Sequence, residues 1–351
     1  MLARLGRLRS DRRVRLAVLT VVLGCVALAL YARWEEAGGA LAALPPWAAP
    51  ASLAAGAAGL WCQMMAWRAL LAGLGAPLPV RAAARVVFVG QLGKYLPGSV
   101  WAFAAQVELA RDREVARHRG AAATVLAVAV TLTVNLAVAA GTLPFTSEEA
   151  ARRWWWALAL APVLLAALHP AVATRALRLL LRLARRPADE VGAVAVGGRP
   201  MAAALAWTLA AWVPLALHIG VLVSGADGAG PRVWPLAAGA YALAWTLGVL
   251  FVFAPAGIGV RELVLTAALS PVLSPGAALL VAALSRLVMT AADVLCAGLA
   301  ALADRTAPPP GPIPAGRTDR GRAPSRPSAL RGSEERIRHG RPESGSRPRT
   351  T

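Results

Sequence analysis

The stretch Phe253-Ala254-Pro255-Ala256-Gly257-Ile258-Gly259-Val260-Arg261-Glu262-Leu263 decides the fold. Apolar residues run up to it and resume after it, yet proline lacks an amide hydrogen and glycine lacks a stabilising side chain, so a helix must break here. A charge pair follows directly. Backbone N–H and C=O groups freed by such a break cannot be satisfied by lipid, but protein or a polar cavity can satisfy them. A second interruption reads Val89-Gly90-Gln91-Leu92-Gly93-Lys94-Tyr95-Leu96-Pro97-Gly98-Ser99-Val100-Trp101, continuing through residues 102–110 with Gln106 and Glu108 inside. Its flanks are about ten to fifteen residues long, short of the ~20 that cross a ~30 Å hydrocarbon core, so it reads as a re-entrant hairpin dipping in from the cytoplasm.

The surroundings of both breaks are membrane sequence. Of 351 residues 58% are hydrophobic and 16% charged, outside the range of water-soluble domains. Uncharged runs at 16–32, 37–67, 120–147, 154–174, 200–226, 233–260 and 263–285 are too many for one soluble core. They resolve into spanning helices at 16–32, 47–74, 120–141, 154–173, 201–224, 235–254 and 276–303, with residues before Pro45-Pro46 left to a loop. The expected fold is all-α: a polytopic bundle of seven to eight spanning helices plus one or two re-entrant hairpins, with interrupted segments in corresponding halves pointing to an inverted repeat and a midplane site. Around Pro255 two topologies remain open: 256–275 crosses back alone, or both flanks form one hairpin dipping from outside.

Lys+Arg number 37 and Asp+Glu 18, a net charge of +19. Its distribution argues against nucleic acid: arginines crowd the first fifteen residues, 81–85, 111–119, 175–186 and the chain from 305 on, while the alternate connections at 33–47, 145–153 and 227–234 hold four in total, with Glu35, Glu36, Glu148, Glu149 and Asp227 beside them. The positive-inside rule then places the basic N-terminus (1–15) and tail (304–351) in the cytoplasm, flanking a membrane domain of 16–303 in the cell membrane. Trp34, Trp47, Trp154, Trp155, Trp156 and Trp234 lie beside the outer connections, at headgroup level. A basic start followed by Ala27-Leu28-Ala29 would also suit a cleavable signal peptide, but an uncleaved first helix fits the charge alternation without adjustment. The Pro-, Gly-, Ser- and Arg-rich tail has too little apolar surface to fold, and reads as a lipid-attracting or simply solvated segment.

The strings Gly93-Lys94-Tyr95-Leu96-Pro97-Gly98-Ser99-Val100-Trp101 and Pro255-Ala256-Gly257-Ile258-Gly259-Val260-Arg261-Glu262, at this separation, resemble the membrane domain of the lysylphosphatidylglycerol synthase/flippase family. The resemblance covers roughly residues 10–303, and the second string is the more specific. It implies a helical bundle with re-entrant segments and movement of a lipid across the bilayer. Full-length aminoacyl-lipid synthases of that family carry a soluble catalytic domain where this chain has its basic tail, so aminoacyl transfer is not implied.

Charges near the bilayer centre cost from ~2.5 to over 10 kcal/mol and should face one another or water. Arg68 and Arg199 sit near helix ends and can snorkel. Lys94, Glu108, Arg261, Glu262, Arg286 and Asp293 cannot, and the bland reading is that they form structural ion pairs. Lys94 with Glu108 would close the first hairpin, while Arg286 and Asp293, two turns apart, would each meet another segment. The functional reading is a polar cavity for a phosphate-bearing headgroup. Lys94, Arg261 and Arg286 are then the anion contacts, with freed N–H groups at Gly98, Ser99, Gly257 and Gly259, neutral hydrogen bonds from Gln91, Tyr95 and Gln106, and Trp101 as packing. Glu108, Glu262 and Asp293 complete the candidate substrate site. Catalysis finds little support: no phosphate loop, no dinucleotide motif after a strand, and no metal-ligand spacing among His118, His169, His218 and His339, with His169-Pro170 reading as a helix end. Asn135 reads as a helix–helix contact, and Cys25, Cys62 and Cys296 as packing residues. The expectation is a non-enzymatic lipid transporter without cofactor, whose partners are membrane lipids. The alternative is a non-transporting scaffold for a cell-envelope glycosyltransferase or lipid-modifying enzyme.

Overall fold

The long helices of this chain are apolar on nearly every face, the pattern of elements surrounded by other helices and lipid. The computed structural model describes residues 28, 31–95, 101–143, 169–183, 195–226, 230, 233–251, 257 and 259–305, all within one unit, Met1–Ala307. Most of the helix expected at 16–32 and of that at 154–173, the Pro97-Gly98-Ser99 turn, residues 252–256 around Pro255, Cys25 and the tail beyond Arg305 lie outside the described residues. Those described form helices joined by turns and short irregular connections, in the order α1 (Trp34–Ala43), α2 (Ala48–Gly73), α3 (Val80–Ala84), α4 (Trp101–Arg111), α5 (Arg117–Thr142), α6 (Pro170–Leu183), α7 (Gly198–Gly225), α8 (Val233–Leu250), α9 (Val260–Leu269) and α10 (Pro275–Arg305). Four are long and apolar enough to cross a membrane: α5, α7, α8 and α10 as far as Asp304.

Helix α2 lies antiparallel along α7, and small residues let the two close up. A Cβ on Gly59 would come 2.6 Å from Leu215 Cδ2, and one on Gly73 would come 2.4 Å from Pro200 Cβ. In lipid, where apolar burial gives helices little reason to associate, such close packing supplies much of the attraction. Buried hydrogen bonds add to it: both His218 ring nitrogens are engaged, Nδ1 with Ser52 Oγ at 2.7 Å and Nε2 with Ser285 Oγ at 2.9 Å, tying α7 to α2 and α10.

One local expectation is corrected. Residues before Pro45-Pro46 form helix α1 rather than a loop, and Glu36 in its first turn accepts the Gly276 N–H at 2.7 Å. A carboxylate is favoured there because the first N–H groups of α10 have no partner within the helix. Pro170 is the first residue of a helix, since a missing N–H costs nothing in a first turn, and residues 144–168 before it lie outside the described residues. Helix α6 places Arg175, Arg178 and Arg182 at three- and four-residue spacing along one face. Trp34, Trp47 and Trp234 are exposed, as interfacial rings should be.

Both interruptions build hairpins. In the first, α3 passes into a π turn (Arg85–Val89) and a 3₁₀ turn (Leu92–Tyr95). Helix α4 then returns antiparallel: Gly90 faces Gln106, and a Cβ on Gly93 would lie 2.9 Å from the Ala102 backbone. In the second, a Cβ on Gly257 would lie 2.9 Å from Gly248 Cα, and Gly257 and Gly259 have φ of 68° and 89°, values that suit residues without a Cβ. Helix α9 folds back along α8 and has 10 residues, ~15 Å at the α-helical rise, so it does not cross alone. Helix α8, by contrast, is long and apolar enough to span.

The hairpins enter from opposite ends of α10. Arg85 and Arg113, at the base of the first, both pair with Asp304 near the end of α10, while its tip reaches Asp293. The second hairpin brings Glu262 to Arg286, nearer the beginning of α10. The two tips therefore converge beside the middle of one long helix, the arrangement by which oppositely inserted interrupted helices frame a midplane site.

Candidate functional site

Where the tips converge the bundle holds a cavity of about 250 Å³. Gln91, Lys94 and Tyr95 reach it from the first hairpin, Gln106 from α4, Gly257 and Arg261 from the second hairpin, and Arg286, Thr290 and Asp293 from α10. Helix α2 contributes Gln63 and Trp67, α5 Thr124, Thr131 and Asn135, α7 Trp212, and α8 Tyr241 and Trp245. Three lining residues, Tyr95 (37%), Val249 (37%) and Phe251 (48%), are also exposed on the outside, so the cavity reaches the surface past aromatic and aliphatic side chains.

The charges order themselves into two pairs and one remainder. Asp293, on the buried side of α10, accepts from Lys94 Nζ at 2.6 Å and from Tyr95 Oη at 2.6 Å on the same oxygen. Glu262 accepts the Gly259 N–H at 2.6 Å on one oxygen and Arg286 Nη1 at 3.1 Å on the other. This caps the start of α9 with its own third residue and fixes the break in place. Arg261, one position earlier, points elsewhere: its guanidinium lies 4.6 Å from the centroid of the Tyr241 ring, over the π face. Among the described residues Arg261 Nη2 and Arg286 Nη2 are both buried without a hydrogen-bond partner. Three cations and two carboxylates thus surround the cavity, and Arg261 has no carboxylate within salt-bridge reach among the described residues.

The neutral groups are also set by the packing. Trp67 Nε1 donates to Thr124 Oγ1 at 3.1 Å, and that hydroxyl donates toward Gln106 Oε1 at 3.2 Å, so α2, α5 and α4 are tied at the cavity wall. Arg68, one residue beyond Trp67, donates Nε–H to the Leu78 carbonyl at 2.8 Å and is structural.

Gln91, Lys94, Tyr95, Gln106, Gly257, Arg261, Arg286 and Asp293 come together as the sequence pattern anticipates, with Glu262 immediately behind them. Gly98 and Ser99 lie outside the described residues. Two expectations are corrected. Glu108 does not close the first hairpin on Lys94; it is exposed and binds Arg117 Nε at 3.0 Å and Arg111 Nη1 at 3.3 Å. Those arginines, Arg117 foremost, hold its carboxyl below the usual glutamate range. The Gly259 N–H is taken by Glu262 and is not free for a ligand. Tyr241, Trp245, Gln63 and Asn135 were not anticipated in the site. An amide in an apolar helix was the one available signal for Asn135, whereas the others depend on which helices meet. Trp101 is half exposed and does not line the cavity. Among the described residues no three His, Cys, Asp or Glu side chains gather as a metal site.

No curated protein matches the chain. The family model described as Lysylphosphatidylglycerol synthase TM region matches residues 14–297, which takes in both hairpins and all the cavity-lining residues. The chain belongs to this membrane-protein family, whose members are related to lipid-modifying and flippase-like proteins.

Proposed function

We propose that this protein binds a phosphate-bearing lipid by its headgroup in the cavity between the hairpin tips and carries it across the cell membrane, without chemical change to the lipid and without a cofactor. The single observation that carries the reading is Arg261: a cation lining a cavity inside the apolar bundle, stacked on Tyr241, with a buried Nη2 that no hydrogen-bond partner meets among the described residues. An arginine left so costs several kcal/mol unless an anion or water completes it, and its planar fork suits phosphate oxygens. Arg286 Nη2, unmet in the same cavity, supplies a second donor. The exposed Tyr95, Val249 and Phe251 form a mouth through which acyl chains stay in the bilayer while the headgroup enters.

The reading is tested by reconstituting the full chain in vesicles with acyl-labelled phospholipid and polyprenyl-phosphate probes, and following leaflet exchange by quencher access. Exchange that depends on Arg261 supports it. Exchange at protein-free rates, or exchange unaffected by Arg261→Ala, contradicts it.

A further inference from the structure

The cavity holds polar groups that neither ion pairing nor phosphate binding uses. Asn135 is 3% exposed on a spanning helix, and its amide, like those of Gln63 and Gln91, has no hydrogen-bond partner among the described residues. Gln63 and Gln91 are partly buried and Asn135 is buried, so three amides that face one cavity without a protein partner among the described residues leave their donors and acceptors to whatever fills it, and suit an occupant rich in both. Trp212 and Trp245 line the same cavity. Amides that pair with hydroxyls, next to indole faces that pack against C–H surfaces, are what a sugar or glycerol moiety requires.

Charge narrows the choice further. With Lys94, Arg261 and Arg286 set against Glu262 and Asp293, the site is one cation in excess. A phosphodiester brings one negative charge and balances it. An aminoacylated headgroup adds an ammonium and restores the excess inside the membrane, where an uncompensated charge is costly. A phosphomonoester brings more than one negative charge and overshoots.

Resting on the lipid-binding reading above, we infer that the headgroup this cavity takes is a monoanionic phosphodiester bearing an uncharged polyol, a sugar or a glycerol, and not an aminoacylated one. The phosphate meets Arg261 and Arg286, and the hydroxyls meet Gln63, Gln91 and Asn135.

The test is a titration of the full-length protein in detergent, followed by its tryptophan fluorescence. Four short-chain probes are used: phosphatidylglycerol, an isoprenyl phosphoryl-hexose, lysyl-phosphatidylglycerol and phosphatidic acid. At least one of the first two is expected to bind tighter than either of the last two by roughly tenfold or more, and the tighter of that pair identifies the polyol. Gln91→Leu and Asn135→Leu should erase that preference, while Arg261→Gln weakens every probe. Gln91 is only partly buried, so its variant keeps the test available if Asn135→Leu does not fold. Equal or tighter binding of the lysyl or monoester probe, still lost in Arg261→Gln, overturns this inference and leaves lipid binding standing. Failure of every probe to show Arg261-dependent binding overturns both.

Discussion

Asp293 receives Lys94 and Tyr95 on a single carboxylate oxygen, and this contact joins the tip of the first hairpin to the middle of α10. Removing one partner of a buried pair leaves the other charge unmatched, at a cost of ~3–5 kcal/mol, whereas removing both is far milder. Asp293→Asn should therefore lower the thermal midpoint in detergent clearly, while Lys94→Met combined with Asp293→Leu recovers most of the stability. If the pair is also part of the site, the double variant stays inactive in lipid exchange. A stable, fully active double variant would reduce the pair to scaffolding.

Tyr241 offers Arg261 its ring face rather than its hydroxyl. Tyr241→Phe should accordingly leave lipid affinity unchanged, and Tyr241→Leu should weaken it by roughly two- to thirtyfold, the range of ~0.5–2 kcal/mol for a cation–π contact. Fluorescence titration compares the two variants directly. Equal losses in both would mean that the hydroxyl, not the ring face, matters.

Glycines in the second hairpin and in α10 differ in what an added side chain would meet. Gly257→Ala combines a positive φ with a Cβ 2.9 Å from Gly248, so it should destabilise by more than ~1–2 kcal/mol. Gly298→Ala, where nothing lies within 4 Å of the new Cβ, should be neutral or stabilising, since alanine is the better helix former. Thermal unfolding of the two variants side by side distinguishes a backbone requirement from general sensitivity of the bundle.

Glu108 illustrates a charge that looked functional in the sequence and is not in the cavity. Its carboxyl is held below the ordinary glutamate value by Arg117 and Arg111, so whatever it contributes to stability is fully present above the unfolded-state pKa and is lost as pH falls through the depressed folded value. Glu108→Gln should leave lipid binding at neutral pH unchanged and flatten the acid side of the stability profile. A variant that loses binding would return Glu108 to the site.

Local sequence carried much of this architecture, for reasons that can be named. The Pro/Gly breaks, the charge beside each and the apolar runs between them are local signals, and the observed α2, α5, α7, α8 and α10 follow them within a few residues. The separate directions of Arg261 and Glu262 were legible too, because adjacent helical residues diverge. What failed were partner choices across the chain. Lys94 had two carboxylates to choose from, and only the antiparallel return of α4 shows that Glu108 faces Arg117 while Asp293 faces the hairpin tip. Tyr241 and Trp245 are ordinary aromatics in an apolar helix until α8 is placed beside the second hairpin. Helix α1 was missed because its stabilising contact, Glu36 with the start of α10, spans nearly the whole described chain.

The most direct test of the central claim is a structure of the protein in a lipid nanodisc, at a resolution that shows headgroups. Phosphate density within hydrogen-bonding distance of Arg261 Nη2 and Arg286 Nη2, in a hydrated cavity, is the predicted result. A dry, closed cavity in which both guanidinium groups are satisfied by protein carboxylates and no headgroup enters would contradict it.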